Sequence, residues 1–335
     1  MKIAVLFGGD GAERDVSVAS AAQVVEALRA RGHDLIAVDA GRGRLTPADE
    51  RKLFARRIDR LPPGRTAAMD LPAVAATSDL HDVDLVFLAL HGGSGENGTV
   101  QSLLDLAGIA YTGSGRLGSA LAWDKDVAKR LLRAAGIPTP DWLMAPVDES
   151  AVEAEIGYPV IVKPNGQGST VGLTLVESAR ELSQAVNVAA RSDTEVMFER
   201  YVPGRELTVG ILGETALPVG EIVPSAGPVF DYTAKYTTGA AEEIFPADLT
   251  TAQTRRIQAL ALEVHRALKL DDYSRVDFRM DPDGGLWCLE ANTLPGLSSG
   301  SLLPQAAAAS GITFPELCER LCAAALERRG ARAGS

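Results

Sequence analysis

Four polar side chains that could bind ligands lie near one another toward the C-terminal end of the chain. Arg275 and Asp277 are two residues apart in one segment, and Glu290 and Asn292 are two residues apart in the next. Residues 281–285, Asp-Pro-Asp-Gly-Gly, separate the segments, and this composition is typical of a tight turn between antiparallel strands. Because side chains alternate faces along a strand, each pair lies on one face. The spacing therefore predicts a hairpin with one polar, largely acidic wall.

This polar wall could hold a divalent metal ion. Carboxylate and amide oxygens suit hard cations, and Mg²⁺ is usually held by one or two carboxylates together with substrate phosphates. An arginine beside them could neutralise charge on a transferring phosphoryl group or a carbonyl oxygen. The alternative is a solvated hairpin face with arginine and aspartate paired. We favour the metal site because Val276, Phe278, Trp287 and Leu289 predict a buried apolar face opposite, and because a backbone-rich loop follows Asn292.

The elements that would support this site begin with an N-terminal α/β domain. Residues 3–7 are a continuous apolar run, as in a parallel strand buried on both faces, and residues 35–39 and 85–90 are interpreted as further buried strands. Helical spacing over 16–28 follows a glycine-rich turn that lacks the dinucleotide-binding fingerprint. Glu13 lies in that turn, where a carboxylate could hold a substrate ammonium. From this segment alone, an acid favoured by the helix dipole is the better interpretation.

Loops after the strands carry further candidates. His91 opens a loop at the edge where parallel sheets bind ligands, and a functional and a structural role fit it equally well. A Gly-Ile-Pro-Thr-Pro run at 136–140 indicates a domain boundary. Lys163 precedes a glycine-rich loop between two strands, and the amides of that loop could fold over phosphates. The loop is not a Walker A motif, and a mobile surface hairpin is the alternative.

Two acids and a long loop complete the set. Glu199 and Glu206 lie at strand ends, where they could accept hydrogen bonds from a nucleoside amine and ribose, although ordinary surface acids would look the same. Residues 224–246 form a Gly/Pro-bounded segment that contains Lys235 and Tyr236. A loop of this length is usually a lid or disordered, and its aromatic residues and lysine favour a lid.

Composition limits the possible functions. The chain has 335 residues, 46% of them hydrophobic, which is enough for about two or three domains with cores. Its formal net charge of −11 argues against nucleic acid as the main partner. The three cysteines form no C-x-x-C pair, which fits a reducing compartment. The N-terminus resembles a strand rather than a signal peptide, and no apolar run approaches membrane-spanning length. We therefore expect a cytoplasmic protein with no membrane partner.

The remaining segments give only structural expectations. Amphipathic helices are predicted over 251–269 and 315–328, followed by a frayed tail over 331–335. The basic segment at 51–65 is interpreted as a solvated face.

In combination these segments resemble the D-alanine:D-alanine ligases of the ATP-grasp superfamily. The motifs are Gly-Gly-x-x-Ala-Glu13-Arg-x-Val-Ser, Leu-His91-Gly-x-x-Gly-Glu-x-Gly-Thr, Tyr-Thr-Gly-Ser-Gly115, Asp-Lys125, Val-Lys163-Pro with Gly-Ser169-Thr-Val-Gly, Asp-Tyr-x-Ala-Lys235-Tyr236, Arg275-Val-Asp277-Phe and Glu290-Ala-Asn292-Thr-Leu-Pro-Gly296. Each is weak alone, but their order and spacing over essentially the whole chain are specific.

The resemblance implies an α/β fold that is α+β in its C-terminal half. An N-terminal parallel α/β domain (1–118) would precede a two-lobed ATP-grasp fold. The lobes would be a central lid subdomain (119–205) and a C-terminal catalytic subdomain (206–330). The family also implies a homodimer.

The resemblance assigns a role to each matching position. ATP would be bound by Lys125, Lys163, Glu199, Tyr201, Glu206 and Lys235. Two Mg²⁺ or Mn²⁺ ions would be held by Asp277, Glu290 and Asn292. The residues with catalytic roles would be Glu13, His91, Ser169, Tyr236, Arg275 and Gly296. The substrate-binding residues would be Glu13, His91, Ser301 and Leu302.

These roles imply a reaction in two steps. ATP would phosphorylate the first D-alanine, whose ammonium Glu13 holds, and Ser169 and Tyr236 would link to Glu13 to close the lid. The amine of the second D-alanine would attack the acyl phosphate while Arg275 and the amide of Gly296 stabilise the oxyanion.

Some positions depart from the family pattern. Thr233, Asn97 and Ser298 stand where the family commonly has Glu, Asp and Thr, which puts lid detail and acceptor preference in question more than reaction type. One alternative is another ATP-grasp carboxylate–amine ligase with a different D-amino acid or acceptor. A nucleotide-binding module without catalysis is disfavoured because Arg275 and the acids are retained, and a nicotinamide dehydrogenase is disfavoured by the missing fingerprint.

Overall fold

The structure is a computed structural model that describes residues 1–9, 13–55, 78–225 and 241–333. Lys235, Tyr236 and most of the predicted lid lie outside the described residues, as does most of the basic 51–65 segment.

The described strands fall into three sheets. In chain order they are β1 (Lys2–Phe7), β2 (Asp34–Asp39), β3 (Gly43–Arg44), β4 (Leu85–Leu88), β5 (Trp142–Met144), β6 (Val160–Pro164), β7 (Thr174–Val176), β8 (Val196–Arg200), β9 (Arg205–Leu212), β10 (Thr215–Ala216), β11 (Gly220–Pro224), β12 (Ala241–Ile244), β13 (Tyr273–Met280) and β14 (Leu286–Asn292).

The described helices cover the faces of these sheets and form the connections between them. They are α1 (Arg14–Ala30), α2 (Pro47–Phe54), α3 (Ser78–His81), α4 (Gly93–Glu96), α5 (Thr99–Leu106), α6 (Arg116–Trp123), α7 (Lys125–Ala134), α8 (Glu149–Glu155), α9 (Ala179–Ala189), α10 (Thr251–Ala267), α11 (Leu302–Ala309) and α12 (Phe314–Ala333). None of the helices in the described ranges is both long enough and apolar enough to cross a bilayer.

The first sheet has the order β3-β2-β1-β4, and β1 pairs in parallel with both β2 and β4. This confirms the predicted parallel α/β domain. Residues 3–7 of β1 and 35–38 of β2 are apolar and buried, as expected for strands that are covered on both faces. The parallel arrangement brings the loops after β1 and β4, which carry Glu13 and His91, to the same edge of the sheet.

The second sheet contains the predicted hairpin. Its order is β12-β11-β9-β13-β14, with β10 paired to β9, and its neighbouring strands are antiparallel. One face packs on α10, whose N-terminus carries a capping box between Thr250 and Gln253. The predicted 251–269 helix is thereby confirmed to within two residues.

The third sheet has the order β5-β8-β6-β7 and holds the glycine-rich loop. β6 and β7 pair in antiparallel fashion on either side of residues 165–173, as predicted for the Lys163 hairpin. The core of this lobe is formed with α8 and α9.

Two local features differ from expectation. The segment after Gly115 in the Tyr-Thr-Gly-Ser-Gly motif, which contains Trp123-Asp124-Lys125, forms two helices rather than one, because Asp124 is extended and caps α7 by accepting a hydrogen bond from the Val127 amide at 3.0 Å. The last helix continues to Ala333, beyond the predicted end at Arg328 and into the segment expected to be frayed. The domain boundaries near 118 and 205 stay predictions.

Candidate active site

A cavity of about 650 Å³ is lined by loops of the first sheet and by strands of the other two. This volume is within the range of small-molecule sites. Every predicted site residue that the structure describes lines it: Glu13, His91, Lys125, Lys163, Ser169, Glu199, Tyr201, Glu206, Arg275, Asp277, Glu290, Asn292, Gly296, Ser301 and Leu302.

The polar wall of the hairpin forms one side of the cavity. Arg275 pairs with Asn292 and Asp277 with Glu290 across β13 and β14. The Asp277 carboxylate accepts hydrogen bonds from Arg275 Nη2 at 2.8 Å, Thr208 Oγ1 at 2.7 Å and Asn292 Nδ2 at 3.0 Å. Burial acts to lower the pKa of Arg275, but the charge and hydrogen bond of Asp277 together with the charges of Glu290 and Glu96 outweigh it, and the pKa is raised. The guanidinium is therefore a fixed positive charge inside the cavity.

A register shift in this hairpin makes part of the predicted apolar face wrong. Asp277 pairs with Glu290 but Phe278 pairs with Cys288, so Leu289 is the extra residue of a β-bulge. Leu289 lines the cavity, and Trp287 is only partly buried. The core positions on β14 are taken by Leu286, Cys288 and Ala291. Strict alternation could not reveal this, because one extra residue exchanges the two faces of the strand.

The polar wall suits a metal ion that binds together with an anionic ligand. Within the described ranges, no group of three or more His, Cys, Asp or Glu side chains is arranged to hold a metal. The wall offers two carboxylates and the Asn292 amide. Each carboxylate also has a cation beside it, since Lys125 Nζ lies 3.3 Å from Glu290 and Arg275 contacts Asp277. Mg²⁺ fits such a set, because it is commonly bound by one or two carboxylates plus substrate phosphates, which would also neutralise the cations.

A buried cluster of two lysines and one acid lies beside the wall. The Glu199 carboxylate receives Lys129 Nζ on one oxygen at 2.6 Å and Lys163 Nζ on the other at 2.7 Å. Burial alone would raise the pKa of Glu199, but the two ammonium groups lower it. Burial lowers the pKa of Lys129. Lys129 also donates a hydrogen bond to Thr139 Oγ1, which fixes the position of its ammonium group. The ionised Glu199 carboxylate, bonded to this lysine, in turn holds Lys163 in place.

Glu206 lies in a second cationic contact. Arg279 Nη1 is 3.2 Å from the Glu206 carboxylate, and the guanidinium also donates to the Val202 carbonyl and lies over the Tyr201 ring. Arg279, Glu206 and Tyr201 all line the cavity, and they bring a guanidinium donor, a carboxylate acceptor and an aromatic ring to it. Such a combination suits a nucleoside.

Glu13 faces the glycine-rich loop rather than its own helix. Its side chain makes no capping hydrogen bond to α1, and its carboxylate accepts a hydrogen bond from Ser169 Oγ. A Cβ at Gly92 or at Gly168 would come within 2.7 Å of Glu13 Oε2, so the backbones of both loops lie directly against this carboxylate. The carboxylate is thus enclosed by two loops that are distant in sequence.

His91 is held by protein groups at both ring nitrogens. Nδ1 donates to the Leu294 carbonyl at 2.9 Å, and Nε2 lies 3.0 Å from Ser20 Oγ. Burial lowers the pKa of the imidazole, which favours the neutral ring with Nε2 as acceptor. This geometry fits a histidine that organises the loop after β14 at least as well as one that contacts substrate.

The loop after β14 supplies the last predicted residues. A Cβ at Gly296 would lie 2.8 Å from Ser301 Oγ, which places the loop directly against the start of α11. Ser298 Oγ lies 2.8 Å from the same hydroxyl. The departure from the family pattern at Ser298 therefore falls in contact with a residue expected to bind the second substrate.

Comparison with known proteins identifies the family. The family model described as D-ala D-ala ligase N-terminus matches residues 2–114, and that described as D-ala D-ala ligase C-terminus matches residues 131–323. Together they cover most of the chain. It belongs to the D-alanine–D-alanine ligase family.

Individual members of the D-alanine–D-alanine ligase family are similar over their full lengths. The D-alanine–D-alanine ligase of Geobacter sulfurreducens is 43% identical over 338 residues, covering 100% of this chain and 97% of that protein. The crystal structure of the D-alanine–D-alanine ligase from Bacillus anthracis superposes with a TM-score of 0.82 at 31% identity, over 99% of both chains. The VanG D-Ala:D-Ser ligase from Enterococcus faecalis superposes with a TM-score of 0.80 at 32% identity, over 97% of this chain and 99% of that one. The predicted ATP-grasp fold is thereby confirmed.

Three residues of this ligase-family site were not predicted from the sequence. Lys129, Arg279 and Glu96 are each buried and contact predicted site residues or their loops. The signals were weak but present: Lys129 is one helical turn after Lys125, and Arg279 is two residues after Asp277 on the same strand. Glu96 lies within the His91 motif. Its burial, and then the charge of Glu13, raise its pKa to about 7.

Proposed function

We propose that this chain is an ATP-dependent ligase that joins two D-alanine molecules into D-alanyl-D-alanine through an acyl phosphate, for peptidoglycan precursor synthesis. The observation that carries the proposal is the convergence of every described site residue on one cavity in a chain of this family. A solved structure of a related D-alanine–D-alanine ligase, 28% identical with a TM-score of 0.80, is complexed with ATP.

In the first step, the γ-phosphoryl group of ATP passes to a carboxylate oxygen of the first D-alanine, and ADP is formed. Lys125 and Lys163 contact the phosphates, and the Lys129–Glu199 contact holds Lys163 in place. Glu199, Tyr201 and Glu206 bind the nucleoside, with Lys235 as a further contact of the transferred group. Asp277, Glu290 and Asn292 hold two Mg²⁺ or Mn²⁺ ions, which when bound neutralise phosphate charge.

In the second step, the amine nitrogen of the second D-alanine attacks the acyl carbon. The C–N bond forms, the C–O bond to phosphate breaks, and inorganic phosphate and a proton leave. Glu13 holds the ammonium of the first D-alanine, and Ser301 with Leu302 holds the carboxylate of the second. Arg275 and the Gly296 amide stabilise the tetrahedral oxyanion, because they are donors already placed where negative charge develops in the transition state.

Closure over the site protects the acyl phosphate from water. The Ser169–Glu13 contact supports this part of the proposal, because it joins the glycine-rich loop of the third sheet to the first domain. Tyr236 would complete the closure from the 224–246 lid, and His91 lies near the substrate carboxylate.

A different acceptor is the second candidate function. Ser298 contacts Ser301 at 2.8 Å, so the pocket for the second substrate contains a side chain that differs from the family pattern. The VanG relative has a similar fold and is a D-Ala:D-Ser ligase, so its second substrate is D-serine rather than D-alanine. A D-amino acid with a hydroxyl would meet two serine hydroxyls here.

The proposal is tested by incubating the protein with ATP, Mg²⁺ and a panel of D- and L-amino acids and hydroxy acids. Phosphate release and product mass are read for each pair. ADP together with a D-alanine dipeptide supports the proposal, and phosphate release only with other pairs rejects it. Glu13→Gln should raise the KM for the first D-alanine, whereas Glu316→Gln, on the exposed side of α12, serves as the matched control.

The domain boundaries at 118 and 205, the homodimer and the cytoplasmic location belong to the same proposal. The three sheets, each with its own helices, are consistent with three subdomains. Size measurement in solution tests the dimer.

A further inference from the structure

Glu96, which has no role in the proposed reaction, joins two loops from opposite ends of the chain. One carboxylate oxygen accepts the Gly92 amide hydrogen at 2.9 Å, and the other accepts the Leu294 amide hydrogen at 3.0 Å. Gly92 follows the first sheet and Leu294 follows β14, so the bridge spans 198 positions of sequence. The side chain is buried, which makes the loss of either bond costly.

The first domain holds the loop after β14 at further points. The carbonyl of Leu294 accepts from His91 Nδ1 at 2.9 Å, so both backbone polar groups of this residue are bonded to the same loop. Ser20 Oγ accepts the Leu297 amide hydrogen at 3.3 Å. The Ser299 amide donates to Gln23 Oε1 at 2.7 Å. The loop at 294–299 is therefore positioned by the N-terminal domain rather than by its own hairpin alone.

The two loops that Glu96 joins carry different parts of the site. Gly92 lies against the Glu13 carboxylate, since a Cβ there would be 2.7 Å from Oε2. Leu294 is two residues before Gly296, whose amide is assigned to the oxyanion. A group that fixes one loop to the other therefore fixes the ammonium site relative to the oxyanion site. A displacement of about 1 Å between two catalytic groups can lower the rate about 100-fold.

We propose that Glu96 is a positioning residue that sets the placement of the oxyanion loop relative to the Glu13 site, acting through the backbone of Gly92 and Leu294. The inference rests on the proposed ligase function. Its chemical basis is that both oxygens accept from N–H donors. A glutamine has one acceptor and would turn its own N–H₂ group toward one of the two amides, where two donors cannot bond. An aspartate keeps two acceptors but is one methylene shorter.

The test compares Glu96→Gln with the wild type and with Asp105→Asn. Asp105 lies on α5, pairs with Arg116 at 2.8 Å and accepts a hydrogen bond from the Tyr111 hydroxyl at 2.9 Å. Neither partner belongs to the two loops that Glu96 joins, so this control converts a carboxylate to an amide in the same domain without changing those loops. Glu96→Gln should lower kcat by about 100-fold, leave the KM for ATP within about twofold, and increase the ADP formed per dipeptide. Asp105→Asn should match the wild type in all three.

Hydrogen exchange of peptides covering 293–299, measured without any ligand, provides the readout that does not depend on the reaction. Faster exchange there in Glu96→Gln, with the remaining peptides unchanged, supports the positioning role even if the wild type makes another product. The inference is overturned if Glu96→Gln exchanges hydrogen in this segment at the wild-type rate. It is also overturned if the variant keeps the wild-type kcat and the wild-type ratio of ADP to dipeptide. If Glu96→Gln does not fold, Glu96→Asp should show the same pattern at smaller amplitude, and a uniform loss of protection in that variant would also overturn the inference.

Discussion

Replacing Arg328 with methionine should destabilise the protein strongly at alkaline pH and much less at acidic pH. Arg328 lies on α12 and donates to Asp272 Oδ1 at 3.0 Å, to Asp272 Oδ2 at 3.1 Å and to the Tyr111 carbonyl at 2.6 Å. The side chains of Arg328 and Asp272 are only 13% and 3% exposed. This contact ties the last helix to the start of β13 and to the first sheet. Methionine keeps much of the packing volume but removes the cation.

The pH dependence follows from Asp272. Burial raises its pKa from 3.8 to about 6, although Arg328 acts in the opposite direction. An acid whose pKa is raised in the folded state binds more protons folded than unfolded. Its contribution to stability is therefore complete below about pH 4 and is lost as the pH rises through the folded pKa. Removing Arg328 raises the pKa of Asp272 further, because the cation that lowers it is gone. The loss of folding stability with rising pH then continues to higher pH.

The size of the effect has a ceiling that depends on pH. Removing one partner of a buried ion pair costs about 3 to 5 kcal/mol. Protonation of Asp272 limits this cost, because in the folded protein it requires about 1.4 kcal/mol for each pH unit above the folded pKa of about 6. The ceiling on this charge-dependent cost is about 3 kcal/mol at pH 8 and close to zero at pH 5, where Asp272 is already mostly protonated. We therefore expect the loss of stability to be larger at pH 8 than at pH 5 by about 2 to 3 kcal/mol.

Urea unfolding at both pH values measures these free energies. Arg320→Met is the matched control, because Arg320 lies on the same helix and pairs with Glu316 at 2.6 Å while 55% exposed. It should cost less than about 0.5 kcal/mol at either pH. An equal loss for Arg328→Met at pH 5 and pH 8 would show that packing, not the buried charge of Asp272, sets the effect.

Three further predictions concern the cavity. Glu290→Gln should reduce kcat by more than about 100-fold, because a metal ligand contributes several kcal/mol to charge stabilisation, with little change in Tm; unaltered turnover would remove Glu290 from the metal site. Arg275→Lys should lower kcat by about 100-fold or more, since a lysine cannot reproduce the forked contact with Asp277, and a change confined to KM would contradict the oxyanion role. Lys129→Met should raise the KM for ATP and lower stability by about 2 to 3 kcal/mol, because it leaves Glu199 to Lys163 alone; an unchanged KM would mean that Lys163 needs no anchor.

Much of the site was predictable because the types and the spacing of its residues indicate their function. The antiparallel hairpin followed from turn chemistry between two short strands, and Arg275 and Asp277 share a face because side-chain alternation is a local property. The parallel sheet followed from continuous apolar runs, which only strands buried on both faces require.

Tertiary structure alone settled the features that depend on distant partners. The β-bulge at Leu289 exchanges the faces of β14, and no pattern in Trp287-Cys288-Leu289 signals the extra residue. Glu13, by itself best explained as a helix-terminal acid, contacts Ser169, which is 156 positions away. Glu96 and Lys129 carry only weak sequence signals, and their contacts with Leu294 and Glu199 are visible only once the lobes are assembled.

There is a physical reason why the sequence predicts some features and the tertiary structure decides the others. Short-range order, such as strand alternation, turns and helix caps, is determined by neighbours within a few positions, so the sequence by itself predicts the elements and the types of ligand group that they carry. The pKa of Glu96 and the pairing of Lys129 depend on desolvation and on charges brought close by folding. Those quantities exist only in the assembled cavity, where residues from both ends of the chain exclude water together.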